Sequence, residues 1–134
     1  MITLDKKERG WVAIWRIIDE APWYKNSKIS HLAQHLIRKA NHEDRYLYLN
    51  GERHFVKRGE TITGRITLSE ETGLTEQEIR HALKVLEEDG LLTVISTSRF
   101  SRLTICNYAT YQDIAEKNTQ PTPSRHPYDN HKQQ

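Results

Sequence analysis

The stretch from Ile66 to Asn107, ITLSEETGLTEQEIRHALKVLEEDGLLTVISTSRFSRLTICN, constrains this chain more than any other. Ile79, Ala82, Leu83 and Leu86 recur at i, i+3, i+4 and i+7, the spacing of one buried helical face. Thr75 stands where an N-cap is needed, and Glu78 lies where the reciprocal partner of a capping box belongs. Glu76 and Glu78 bring negative charge to the first turn, which suits the helix dipole. Gly90 follows the last apolar position, as a helix terminator does. A shorter helix is expected over Ile66–Thr72, anchored by Leu68, with Gly73 and Leu74 making the turn between the two. Beyond Gly90 the period becomes strand-like, over Leu91–Ile95 and Leu103–Cys106. Leu103 and Ile105 alternate with Arg102, Thr104 and Cys106, so one face can pack on the helices.

Helix, glycine turn, helix and two strands in that order is the outline of a winged helix-turn-helix, which places its second helix in the DNA major groove. The expected fold class is therefore α+β and mostly helical: a winged helix-turn-helix with an N-terminal helical extension and small β-hairpins. Opposite the apolar stripe project Gln77, His81 and Lys84, with Arg80 on the flank. Glutamine can read adenine edges, and arginine can read guanine or bind phosphate. Lys84, Arg99 and Arg102 suit phosphate contacts that set position rather than sequence. Thr75 at the helix start, and Arg58 and Arg65 beside the motif, complete the expected DNA-binding set. Any one of these side chains is also an ordinary solvated residue. The flanking elements are what make the face a DNA-contact candidate.

The rest of the chain adds three features. Trp11, Ile14, Trp15 and Ile18 have helical spacing, and Val12 and Ile17 make the segment apolar on other sides too. Its tryptophans, Trp11, Trp15 and Trp23, either form a self-association surface or pack into the core. Pro22 stops or redirects the chain. A long amphipathic helix follows, with Ser27 as its expected cap and Ile29, Leu32, Ala33, Leu36, Ile37 and Ala40 as its stripe. Tyr46–Val56 is expected as a hairpin turning at Asn50-Gly51, and Thr61-Ile62 as a short strand.

Several other chemistries are disfavoured. His31 and His35 have a chelating spacing, but no zinc-protease glutamate or third ligand accompanies them, so they are read as solvated. Gly59–Gly64 has the glycine spacing of a phosphate-binding loop, but Arg65 and Ile66 stand where Lys and Ser or Thr are required. No nucleophile–base pair is visible, so no enzyme, metal or cofactor is expected. The single cysteine, Cys106, allows no disulfide within the chain and fits a reducing cytoplasm. Asp5–Arg9 is too charged for a secretory leader, and no apolar run is long enough to span a membrane. The 134 residues suit one compact domain: an arm over 1–9, a winged-helix domain over 10–113, and a polar, disordered tail or linker over 114–134. Net charge is only +2, and Glu87, Glu88 and Asp89 end the second helix with negative charge. DNA binding by a single copy is thus expected to be weak, or to need several copies side by side.

With these residues in view, the chain resembles the N-terminal half of phage replisome-organiser proteins, relatives of the DnaD-like primosome proteins. The resemblance rests on Gly10-Trp11 before an Ile/Trp segment and Pro22-Trp23-Tyr24, and on Leu36–Asn41 closing the long helix. It continues in Lys57-Arg58-Gly59-Glu60, in Ser69–Thr75 through Ile105–Tyr108, and in Tyr111-Gln112. It spans roughly Gly10–Gln112. The resemblance implies a winged-helix domain that helps start replication, binds origin or single-stranded DNA, self-associates into homo-oligomers and helps recruit helicase-loading proteins. Two alternatives stay open: a transcriptional regulator of the same fold, and a protein-interaction or oligomerisation module that does not touch DNA.

Overall fold

A computed structural model describes residues 10–118. The expected arm over 1–9 and most of the expected tail lie outside the described residues. The described chain is α+β, with helices α1 (Ser27–Lys39), α2 (Arg65–Thr72), α3 (Glu76–Glu88) and α4 (Tyr108–Asn118). Strands β1 (Arg45–Leu49) and β2 (Glu52–Val56) form one antiparallel sheet. A second antiparallel sheet has the order β3-β5-β4, from β3 (Glu60–Thr63), β5 (Ser101–Ile105) and β4 (Leu92–Ser96).

The helices form where the apolar spacing demands. In α1, Ile29, Leu32, Ala33, Leu36 and Ile37 are buried. Leu32 and Leu36 are fully buried, and such a leucine gains about 1.5–3 kcal/mol from leaving water. The cap of α1 is Asn26, not Ser27: its side-chain oxygen accepts the amides of Lys28 and Ile29, each at 3.2 Å. Asn26 is extended, whereas Ser27 is already the first helical residue, so only Asn26 can turn its side chain onto the free amides.

The α2–α3 pair is joined through Gly73, whose φ of 81° ends α2 in the left-handed region, and through Leu74, which is buried. Both halves of the capping box form at α3: Thr75 Oγ1 accepts the Glu78 amide at 3.1 Å, and Glu78 Oε1 accepts the Thr75 amide at 2.9 Å. Ile79, Ala82 and Leu86 of α3 meet Leu68 of α2 and the α1 stripe in the core. The sheet closes that core from the other side. Leu92 pairs in register with Ile105, and Val94 with Leu103. Leu103 and Ile105 are buried, as their alternation requires.

The hairpin of β1 and β2 turns at Asn50 and Gly51, with φ of 50° and 81°. Two successive positive φ values make the twist-matched two-residue turn that the Asn-Gly pair favours. The region from 59 to 64 is no phosphate loop. It is β3, its Thr61 and Thr63 buried, followed by Gly64 as the N-cap of α2.

Two expectations are corrected by long-range contacts. The segment Trp11–Trp15 is not helical, and only Arg16–Glu20 forms a short 3-10 turn. Instead Gln112 of α4 clamps the segment: its Oε1 accepts the Ala13 amide at 2.9 Å, and its Nε2 donates to the Ala13 carbonyl at 3.0 Å. A backbone unit satisfied in this way needs no helix to complete its hydrogen bonds. The second correction is α4 itself, which is not anticipated from the sequence and which runs to Asn118, past the boundary expected at 113. Trp23 is a core residue, 5% exposed, and its Nε1 donates to Asp89 Oδ2 at 2.8 Å. It is therefore packed rather than offered to a second copy.

Candidate nucleic-acid interface

The outer flank of α3, the N-terminus of α2, the β4–β5 tip and the end of the β1–β2 hairpin enclose an open cleft of about 870 Å³. Four expected residues meet there: Arg65, Arg80, Lys84 and Arg99. Arg80 and Lys84 lie one helical turn apart on α3, and Arg65 opens α2. Among the described residues none of these three makes an ion pair. Their charges are thus available to an incoming anion.

Acids share the cleft: Glu52, Glu76 and Glu87 line it too. Two of them are engaged. Glu87 accepts the Val94 amide of β4 at 3.2 Å, and Glu52 pairs with Arg99 at 3.0 Å. The acidic end of α3 therefore has structural work, since Asp89 also holds the Trp23 indole. Two of the three acids in that run, Glu87 and Asp89, thus hold the fold together, while Glu88 is exposed.

The β4–β5 tip is a closed turn. Thr97 donates its amide to the Phe100 carbonyl at 2.8 Å, and the Ser96 and Ser101 hydroxyls are 3.0 Å apart. It is also tied to the β1–β2 hairpin. The His54 and Phe100 rings meet edge-on at 5.1 Å, beside the Arg99–Glu52 pair. This brace joins the two hairpins into one wall of the cleft.

The other expected residues lie elsewhere. Gln77 and His81 are exposed on the neighbouring stripe of α3, facing Asn26, Lys28 and Ile29 near the start of α1. Thr75 is spent on its cap. Arg102 donates to the Phe55 carbonyl and to Glu60 Oε1, both at 2.9 Å, and so braces β5 to β2 and β3. Arg58 pairs with Asp113 at 2.8 Å beside the Tyr108 ring, which fastens α4 to the turn before β3. The sequence showed these arginines as cations but not the carboxylates that meet them from distant elements. Two cleft residues are not anticipated from the sequence, His54 and Phe100, whose meeting depends on the placement of two hairpins.

His31 and His35 are not simply solvated; they dock α2. His31 Nε2 donates to the Thr72 carbonyl at 3.0 Å, and His35 Nε2 lies 2.8 Å from Glu71 Oε1. Lys39 completes this cluster, 2.8 Å from Glu71 Oε2. Partial burial works to raise the Glu71 pKa, but the hydrogen bonds and charges of Lys39 and His35 outweigh it and hold the carboxyl below its usual value. The Glu78 carboxyl is also lowered, by Lys28 and then by the Thr75 amide. Among the described residues no group of three or more His, Cys, Asp or Glu could hold a metal ion, and Cys106 is a half-buried free thiol. Nor is any helix among them long and apolar enough to cross a membrane.

No protein family, curated protein or solved structure matches this chain.

Proposed function

We propose that this chain is a winged helix-turn-helix protein that binds duplex DNA and acts, without catalysis, in the initiation of phage-type DNA replication. In this reading α3 enters the major groove and the β4–β5 hairpin is the wing. The observation that carries it is the pair Arg80 and Lys84, unpaired on the outer stripe of α3 and flanked by a braced hairpin tip. The order α1, β3, α2, α3, β4, β5, with β3 pairing β5, supplies the frame. The replication role and the helicase-loading partners rest on the resemblance to replisome organisers.

Self-association belongs to the same proposal, and its support is local. Trp11 is 62% exposed and Ile17 68% exposed, so the N-terminal segment offers apolar area that the core does not cover. Trp15 takes a lesser part, since it is half-buried with its ring 5.8 Å from that of Tyr111. This apolar edge also supports the alternative of an assembly module that leaves DNA alone.

The test is the salt dependence of duplex binding, read by fluorescence anisotropy for the native chain and for the double variant Arg80→Ala/Lys84→Ala. Each phosphate that is no longer neutralised should lower the log–log slope by about 0.9, hence about 1.8 for the pair. Over a fourfold rise in salt, that slope corresponds to about twelvefold in affinity. An unchanged slope removes α3 as the contact face. Two symmetric footprints about one helical turn apart at a promoter would instead favour the transcriptional regulator.

A further inference from the structure

Three glutamates line the cleft beside α3, and two of them hold the fold. Glu52 pairs with Arg99, and Glu87 accepts the Val94 amide. Glu76 is different. It is the first residue of α3, exposed, and makes no ion pair among the described residues. Arg80 lies one turn further along, a spacing at which opposite charges commonly meet, yet the two do not pair. The helix does not need Glu76 as a cap, because Thr75 and Glu78 complete the capping box. Nor does the dipole depend on it, since Glu78 already brings negative charge to the first turn. Yet Glu76 shares the cleft with Arg65, Arg80, Lys84 and Arg99, where a phosphate backbone would repel it.

We infer that Glu76 is a specificity residue: it reads a cytosine edge in the major groove, so that this chain selects duplexes with a C·G pair under the start of α3. The inference rests on the reading of α3 as the groove helix. An ionised carboxylate only accepts hydrogen bonds. Base edges in the major groove offer it two donors, cytosine N4 and adenine N6. Guanine N7 and O6 and thymine O4 are acceptors and would repel it. Adenine N6 lies beside its own N7 acceptor, whereas cytosine presents the N4 donor alone, so cytosine is the better match. Position supports the same role. The N-terminal residues of a recognition helix are the ones that meet base edges, and Glu76 opens α3. Arg80 and Lys84, further along the helix, and Arg65 on α2 are left for phosphates, which position the protein but carry no sequence information. A carboxylate set among such cations gives up general affinity for discrimination, because every base that cannot donate to it is penalised.

The experiment is selection at low salt from a pool of duplexes with a randomised core, using the full chain and its Glu76→Gln, Glu76→Ala and Arg80→Ala variants. Circular dichroism checks that each variant is folded. Anisotropy titrations then compare the enriched duplex with its single C·G to T·A change, which should weaken binding of the native chain about fivefold to tenfold. Glu76→Gln should move the enriched base at that one position from cytosine to adenine, because a glutamine amide spans adenine N6 and N7. Glu76→Ala should erase the preference there. Arg80→Ala should weaken all duplexes alike and keep the cytosine. No binding of the pool by the native chain removes the duplex reading, and this inference with it. Binding without a base preference, or with the same preference in the native chain and Glu76→Gln, overturns the inference and leaves duplex binding standing. So does equally tighter binding of every duplex by Glu76→Ala, which would make Glu76 a repelling charge and nothing more.

Discussion

Replacing Gly59 by alanine should destabilise the protein by about 2–4 kcal/mol, for two separable reasons. Gly59 has φ of +87°, a conformation that costs an L-residue about 1–2 kcal/mol. A Cβ there would also sit 2.9 Å from Tyr108 Cβ. No rotamer change moves a Cβ, so the start of α4 must shift. Tyr108 is buried, and overpacking of this kind costs about 1–3 kcal/mol. Alanine gains back about 0.4–1 kcal/mol by stiffening the unfolded chain. The surroundings give little freedom to relax. The Gly59 amide donates to the Asn41 carbonyl at 2.7 Å, and its carbonyl accepts the Ile105 amide at 2.9 Å. Gly73 is the internal control, with φ of +81° and nothing within 4 Å of its would-be Cβ. It carries the strain without the clash. Urea unfolding followed by circular dichroism should therefore rank Gly59→Ala below Gly73→Ala by about 1–3 kcal/mol. Equal destabilisation of the two variants would refute the close approach of Tyr108 as the reason for glycine at 59.

Two further outcomes follow from the same interactions. Thr75→Ala removes one half of the capping box on α3 and should cost about 1 kcal/mol in urea unfolding, with the apolar core intact. The Glu71 carboxyl is held below its unfolded value, so its share of stability is full above the unfolded pKa and disappears as pH falls through the folded one. Urea midpoints measured from about pH 6 down to about pH 3 should thus fall further for the native chain than for Glu71→Gln; matching falls would show that the Glu71 cluster contributes nothing to the acid limb.

What the sequence made legible was local. The stripe of α3, its capping box, the Gly73 turn and the Asn-Gly hairpin all depend on residues within a few positions of each other, and each forms as expected. The failures are long-range. Trp11–Trp15 has helical spacing yet is not helical, and Gln112, 99 positions from Ala13, takes up both backbone groups of Ala13 instead. The helix α4 has no apolar stripe to announce it. One of its buried positions is that same glutamine, one turn after Tyr108. Among the candidate site residues, Arg80 and Lys84 were readable from the helical period alone. Arg58 and Arg102 were readable as cations, but their carboxylates come from α4 and β3, and no spacing rule pairs them. The brace of His54 on Phe100 arises from two hairpins distant in sequence, each of which was visible singly.

The central claim is that the outer face of α3 and the β4–β5 tip contact duplex DNA. The most direct measurement is an amide-resolved NMR titration of the chain with a short duplex at low salt. Shifts should concentrate at Arg65, Arg80 and Lys84 and along Ser96–Ser101, and should fade as salt is raised. Shifts confined to the Trp11–Trp23 segment, or none at all at low salt, would contradict it.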